Sequence, residues 1–233
     1  TSQRFTPALS PAQWFALLCF PGSHCNHCQQ RLLWRDALPL VSWPGLKGRC
    51  RFCHRAFGAE SVVIEWLFAL LCLLVLQSFD HSAEAVFIIT ASGLLLLVAA
   101  IDRRHFCIPD PLNYLLLWSG LLHATLSGTE TTAIWGAVAG YCALWLLAWS
   151  YRQMRGYEGL GYGDIKLFAA LGACCGWQTL PWIALGATVM ALTSIVMLQL
   201  RSCIQGDSPL PFGPFLAIAG WVTIVLQTRF TLV

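Results

Sequence analysis

Ala83-Glu84-Ala85-Val86-Phe87-Ile88-Ile89-Thr90-Ala91-Ser92-Gly93-Leu94-Leu95-Leu96-Leu97-Val98-Ala99-Ala100-Ile101-Asp102-Arg103-Arg104 is a long apolar run that ends on one acid and two arginines. A helix rises about 1.5 Å per residue, so about 20 apolar residues cross the ~30 Å hydrocarbon core of a bilayer. Ala83–Ile101 therefore predicts a transmembrane helix. Composition agrees, since the 233 residues are 57% hydrophobic and only 11% charged, where a soluble domain carries roughly 25% charge. Mean hydropathy is +0.64. Outward from this run, apolar segments recur at Ser61–Phe79, Leu112–Leu126, Thr131–Ser150, Ile165–Trp177, Leu180–Leu200 and Phe212–Leu226. The expected fold is all-α and integral to the membrane, with about seven transmembrane helices in residues 61–233 and a separate segment in residues 1–60.

Lys and Arg placement orients the spans. The connections near 80–82, 127–130 and 177–179 contain neither residue, whereas those near 102–111, 151–164 and 201–211 hold Arg103, Arg104, Arg152, Arg155 and Arg201. The basic first 55 residues fall on the same side. One topology satisfies every loop: an N-terminal cytoplasmic segment, seven spans and an outside C-terminus. Outside those first residues no basic stripe with interleaved aromatics appears, so no nucleic-acid partner is expected.

Cys25-Asn26-His27-Cys28 and Cys50-Arg51-Phe52-Cys53 are two CxxC pairs with 21 residues between them. Two such knuckles at about this spacing suit a four-thiolate zinc site. Two disulfides or unpaired thiols are the alternatives. The flanking Lys47, Arg49, Arg51 and Arg55 favour the cytoplasm, where disulfides are rare, and so favour zinc in a structural role. The remaining seven cysteines lie mostly in apolar runs and read as small hydrophobes.

The second decisive stretch is Gly159-Leu160-Gly161-Tyr162-Gly163-Asp164-Ile165-Lys166. Alternate glycines let a backbone bend and approach a neighbour closely. The stretch ends on an acid at the edge of an apolar segment, where a carboxylate is costly and reads as functional. Asp102 and Asp110, in Ile108-Pro109-Asp110-Pro111, fall on the same side. Asp110 opens a helix, where an acid suits the dipole and can cap free N–H groups. Asp102 closes one, where its own helix dipole opposes it, and Arg103 and Arg104 offer a structural ion pair as the bland explanation. Two aspartates at one membrane edge suggest a dyad that shares a proton, one acid acting as base on water and the other protonating a peptide carbonyl. No GxSxG, HExxH or phosphate loop appears, and the six histidines form no helix-spaced metal set. The competing class is a non-catalytic membrane scaffold or ion-coupled transporter whose acids bind ions, although no internal repeat supports it.

In these motifs the chain resembles the type IV prepilin peptidases, membrane leader peptidase/N-methyltransferases of type IV pilus and type II secretion systems. The resemblance rests on the two CxxC pairs, on Leu38-Pro39-Leu40-Val41-Ser42-Trp43 with Lys47-Gly48-Arg49-Cys50, on Ile101-Asp102 with Ile108-Pro109-Asp110, and on Glu158-Gly159-Leu160-Gly161-Tyr162-Gly163-Asp164-Ile165-Lys166-Leu167. Gly213-Pro214-Phe215 resembles a late segment of that family. The likeness covers roughly residues 21–230. It implies an aspartic endopeptidase with Asp102 and Asp164 as the catalytic pair. Asp110, Lys166, Gly159, Gly161 and Gly163 would support them, and Cys25, Cys28, Cys50 and Cys53 would hold zinc. It implies prepilin or pseudopilin substrates, cut after a glycine of a short basic leader at the cytoplasmic face of the bacterial inner membrane. It further implies N-methylation of the new terminus from S-adenosylmethionine, for which no nucleotide-binding signature appears. Members usually begin with a full membrane helix bearing a Gly-Ser-Phe-type motif, whereas residues 1–20 here carry none, so a shortened or truncated member is expected.

Overall fold

The computed structural model describes residues 28, 30, 49–55, 60–79, 83–156, 159–200 and 211–231. Backbone contacts divide the chain into two units, Thr1–Leu70 and Leu71–Val233. Among the described residues there are seven helices: α1 (Glu60–Ser78), α2 (Ala83–His105), α3 (Asp110–Ser127), α4 (Glu130–Arg155), α5 (Tyr162–Cys175), α6 (Leu180–Leu200) and α7 (Gly213–Thr231). Each apolar segment of the sequence forms one of them. Three helices, α2, α4 and α6, are long and apolar enough to cross a membrane.

Within the second unit, α5 packs against α3, α4, α6 and α7, while α7 also lies on α2 and α6. The sequence of α5 explains its place. Ile165, Leu167, Phe168, Ala169, Ala170, Leu171, Gly172, Ala173 and Cys175 are all buried, and a helix that is apolar nearly all round belongs inside a bundle. At 14 residues it is only about 21 Å long, too short to cross a bilayer alone.

Small residues let the neighbours come close. A methyl group on Gly136 of α4 would run into the backbone of Gly172 of α5, and one on Gly172 would run into the backbone of Gly136. One turn further along α4, a methyl on Gly140 would meet the Phe168 carbonyl oxygen at 2.9 Å. The pattern Gly136-Ala137-Val138-Ala139-Gly140 is thus a small-xxx-small face, the arrangement by which helices pack where lipid leaves no hydrophobic drive between them.

The outward surface has the opposite character to that of a soluble protein. In the second unit Trp118, Leu126, Trp135, Leu147, Trp182 and Leu200 are all exposed, at 60% or more of their surface. Contiguous exposed apolar surface of this extent marks contact with lipid or another apolar phase. Ser92, buried, donates to the Ile88 carbonyl of its own helix and accepts the Trp221 indole N–H from α7 at 2.7 Å, so its hydroxyl is fully used.

Candidate active site

Asp102 lies in the last turn of α2 and is 6% exposed. Its own helix dipole opposes a negative charge there, as the sequence suggests, but the tertiary structure supplies the missing support. The backbone N–H of Gly213, at the start of α7, donates to Asp102 Oδ2 at 3.0 Å in a buried setting. The N-terminus of a second helix therefore faces this carboxylate, where dipole and free N–H groups favour an anion. Gly213 is required by space: a methyl group there would sit 2.6 Å from Asp102 Oδ2.

Asp164 lies in the first turn of α5, not ahead of the helix; the helix begins at Tyr162, three residues before the Ile165 start expected from hydropathy. Its Oδ1 is buried and has no hydrogen-bond partner among the described residues. Burial first, and the neighbouring Asp102 carboxylate second, push the Asp164 carboxyl from 3.8 up to about 7, against a partial offset from the Gly161 backbone N–H. Desolvation dominates and like charge adds to it, the two effects that raise a carboxyl together.

Ile108, in the link between α2 and α3, connects the two acids sterically. A methyl on Gly163 would meet the Ile108 Cβ at 2.9 Å, and one on Gly213 would meet the Ile108 Cδ1 at 3.1 Å. The glycine before Asp164 and the glycine that caps Asp102 thus close on one isoleucine. That is the tight approach expected of Gly163. Gly161 meets only the Asp164 carboxylate, and Gly159 lies against the Tyr151 ring.

Asp110 and Lys166 are drawn to each other. Lys166 Nζ donates to both oxygens of Asp110 at 2.7 Å, which ties the first turn of α3 to the N-terminal part of α5. Asp110 makes no capping bond, since the N-cap position of α3 is Pro109 and has none. Two further residues join the cluster: Gly213 through its backbone N–H, and Asn113, whose Nδ2 donates to the Gly163 carbonyl at 3.3 Å. A polar residue inside the apolar run Leu112–Leu126 is the signal that marks Asn113. No local signal marks Gly213, because its partner is 111 residues away.

The first unit holds the two CxxC pairs. The sulfurs of Cys28, Cys50 and Cys53 lie within 4.8 Å of one another, and none of the three is in a disulfide. Cys28 Sγ and Cys50 Sγ are 3.9 Å apart, close to the edge of about 3.8 Å expected of a tetrahedron with zinc–sulfur bonds of ~2.3 Å. The Phe52 N–H donates to Cys50 Sγ at 3.4 Å, a bond that supports a thiolate. The three thiols fit a zinc ion. Cys25, the fourth expected ligand, lies outside the described residues.

A bundle with an apolar exterior, spanning-length helices and acids gathered at one polar end is that of a multi-helix membrane protein. Comparison with known proteins narrows this class. Residues 88–196 match the type IV leader peptidase family, and residues 8–79 match the bacterial peptidase A24 N-terminal domain. A prepilin leader peptidase/N-methyltransferase of Dickeya chrysanthemi is 42% identical over 213 residues, covering 90% of this chain and 75% of the relative. Proteins of the same name from Stutzerimonas stutzeri and Pseudomonas aeruginosa are each 39% identical, over 92% and 95% of this chain and 75% and 77% of theirs. No solved structure matches the chain. The chain belongs to the type IV leader peptidase family.

Proposed function

We propose that this enzyme removes the short basic leader of prepilins or pseudopilins after a glycine, with Asp102 and Asp164 as an acid pair that activates water. The observation that carries the reading is the pairing itself: a half-buried Asp164, with Oδ1 out of solvent, has its carboxyl pushed up to about 7 by burial and by Asp102, while Asp102 accepts a buried N–H from Gly213. At neutral pH Asp164 is then the natural proton holder. Burial raises the Asp102 carboxyl as well, but the Gly213 N–H on its Oδ2 works against that rise, which makes Asp102 the natural base of the two.

The chemistry follows from those roles. Asp102 takes a proton from water as the water oxygen bonds to the scissile carbonyl carbon, and Asp164 gives its proton to the carbonyl oxygen. The tetrahedral intermediate collapses when the peptide nitrogen receives the proton held on Asp102 and the C–N bond breaks. Asp164 recovers its proton from one hydroxyl of the intermediate as that oxygen re-forms the carbonyl of the new carboxyl group, the amine leaves, and both acids end as they began. The bundle lies in the bacterial inner membrane with seven spans, and the Lys- and Arg-rich end that bears the acids faces the cytoplasm. Family membership leaves the scaffold and transporter alternatives without support.

Zinc held by Cys28, Cys50 and Cys53 together with Cys25 would cross-link the two knuckles of the first unit, a structural part with no role in the hydrolysis. Methylation of the new terminus is carried by kinship with relatives named as N-methyltransferases. S-adenosylmethionine would supply the methyl group. A cavity of about 660 Å³, lined by Glu84, Phe87, His123, Gln178 and Thr228, lies at the other end of the bundle. From Phe87 to Asp102 along α2 is about 22 Å. No step is assigned to that group.

The test is incubation of the membrane-embedded protein with a prepilin-type peptide and mass spectrometry of the products. Wild type cuts after the glycine. Asp102→Asn and Asp164→Asn each lose cleavage by about 10²–10⁴-fold while accumulating normally, and Asp110→Asn loses less. Cleavage at wild-type rate in either dyad variant rules the pair out.

A further inference from the structure

Four polar or charged side chains are buried among the described residues: Ser92, Asp102, Asn113 and Thr228. Ser92 and Thr228 each donate to a carbonyl four residues back in their own helix, and Asp102 is capped by Gly213. Asn113 differs from all three. It is 2% exposed, reaches from α3 to another helix, and bonds the carbonyl of the residue that precedes Asp164. That carbonyl can only accept, so the amide orientation is fixed with Nδ2 toward Gly163. Asn113 Oδ1 is then left buried with no donor among the described residues, and so is Asp164 Oδ1. A buried amide left half satisfied destabilises the fold, a cost that packing alone gives no reason to bear.

We propose that Asn113 is a positioning residue for Asp164. Its Nδ2–H pins the Gly163 peptide against α3, which fixes where the first turn of α5 aims the carboxyl. The Gly163 backbone is free of side-chain bulk and pressed on Ile108, so among the described residues this hydrogen bond and the Lys166–Asp110 pair are the polar ties between α3 and the start of α5. Lys166 and Asp110 are part exposed, so their tie is soft. The one through Asn113 is buried. The inference rests on Asp164 being a reacting acid and adds the residue that aims it.

Three variants test it, with cleavage of a prepilin-type peptide as the assay. Asn113→Leu keeps the volume and removes the donor. A misaim of about 1 Å can cost up to about 10²-fold, so kcat falls about 10- to 100-fold with KM within about twofold and thermal stability held. Asn113→Gln keeps an amide and restores part of the lost rate. Asn113→Asp keeps a donor to the Gly163 carbonyl only while its own carboxyl is protonated, so its activity profile moves to lower pH than wild type. Wild-type kcat and an unshifted pH profile in folded Asn113→Leu and Asn113→Asp proteins overturn the proposal. Asp164→Asn run alongside separates the two readings: if it is inactive while the Asn113 variants cut normally, only the positioning role falls. If Asp164→Asn cuts normally, the dyad falls first.

Discussion

Among the described acids, Asp164 is the one that its surroundings perturb most. Asp164 titrates near 7 in the folded protein and near 3.8 without its surroundings. A group whose folded value is raised contributes stability that is complete below the unfolded value and is lost as pH rises through the folded value. Wild type should therefore lose stability between about pH 4 and pH 7 from this residue, and Asp164→Asn should not. The expected outcome is that Asp164→Asn melts at the same temperature as wild type near pH 4 and at a higher one at pH 8, read by thermal unfolding in detergent. A difference that stays constant across that range would show that the carboxyl is not charged at a cost. Lys166 contributes elsewhere: its partner is Asp110, and a part-exposed pair of this kind is worth about 0.2–1 kcal/mol. The acids thus divide by environment: Asp164, with Oδ1 out of solvent, is charged only at a cost, and the exposed Asp110 is neutralised by Lys166.

At the scale of the helix, α5 is the element on which the site depends. It is short, surrounded by four other helices, and presents Asp164 from its first turn. Its seat against α4 is backbone on backbone at Gly136 and Gly172. A side chain at either position cannot be absorbed by a rotamer change, because the obstructing atoms are main chain. Gly136→Leu should push α5 away from α4, destabilise the bundle by about 3 kcal/mol or more and abolish cleavage together with stability. Val138→Leu, a half-exposed neighbour on the same helix, should change neither. Equal melting temperatures for the two variants would show that the helices are not in contact there. The helices themselves were legible from hydropathy, since each apolar segment became one helix. Their ends were not: α5 starts at Tyr162 because the turn Gly161-Tyr162-Gly163 enters the helix, with the Asp164 N–H donating to the Gly161 carbonyl, a hydrogen bond that apolar counting cannot register.

For the whole molecule, the two units call for separate sources of stability. The second unit buries a connected apolar core through α2, α3, α5, α6 and α7. The cysteine segment of the first unit is short, and a thiolate-bound ion is the usual support of so small a module. One zinc per chain is the expected result of elemental analysis on protein purified from membranes, falling to well under half in Cys50→Ser. Full zinc content in that variant, or none in wild type, would leave the cluster of three thiols without its ion. By itself the sequence determined that the chain is helical and apolar, that two CxxC pairs and three acids stand apart from the rest, and which family the motifs resemble. Those properties reside in composition and in short spacings, which local chemistry fixes. Only the tertiary structure decided that Asp102 is capped by the N-terminus of α7, that Lys166 turns to Asp110, and that Asn113 reaches the Gly163 peptide. Each of these joins residues 50 or more positions apart, and the partner of a buried polar group is set by how helices pack, which no local pattern encodes.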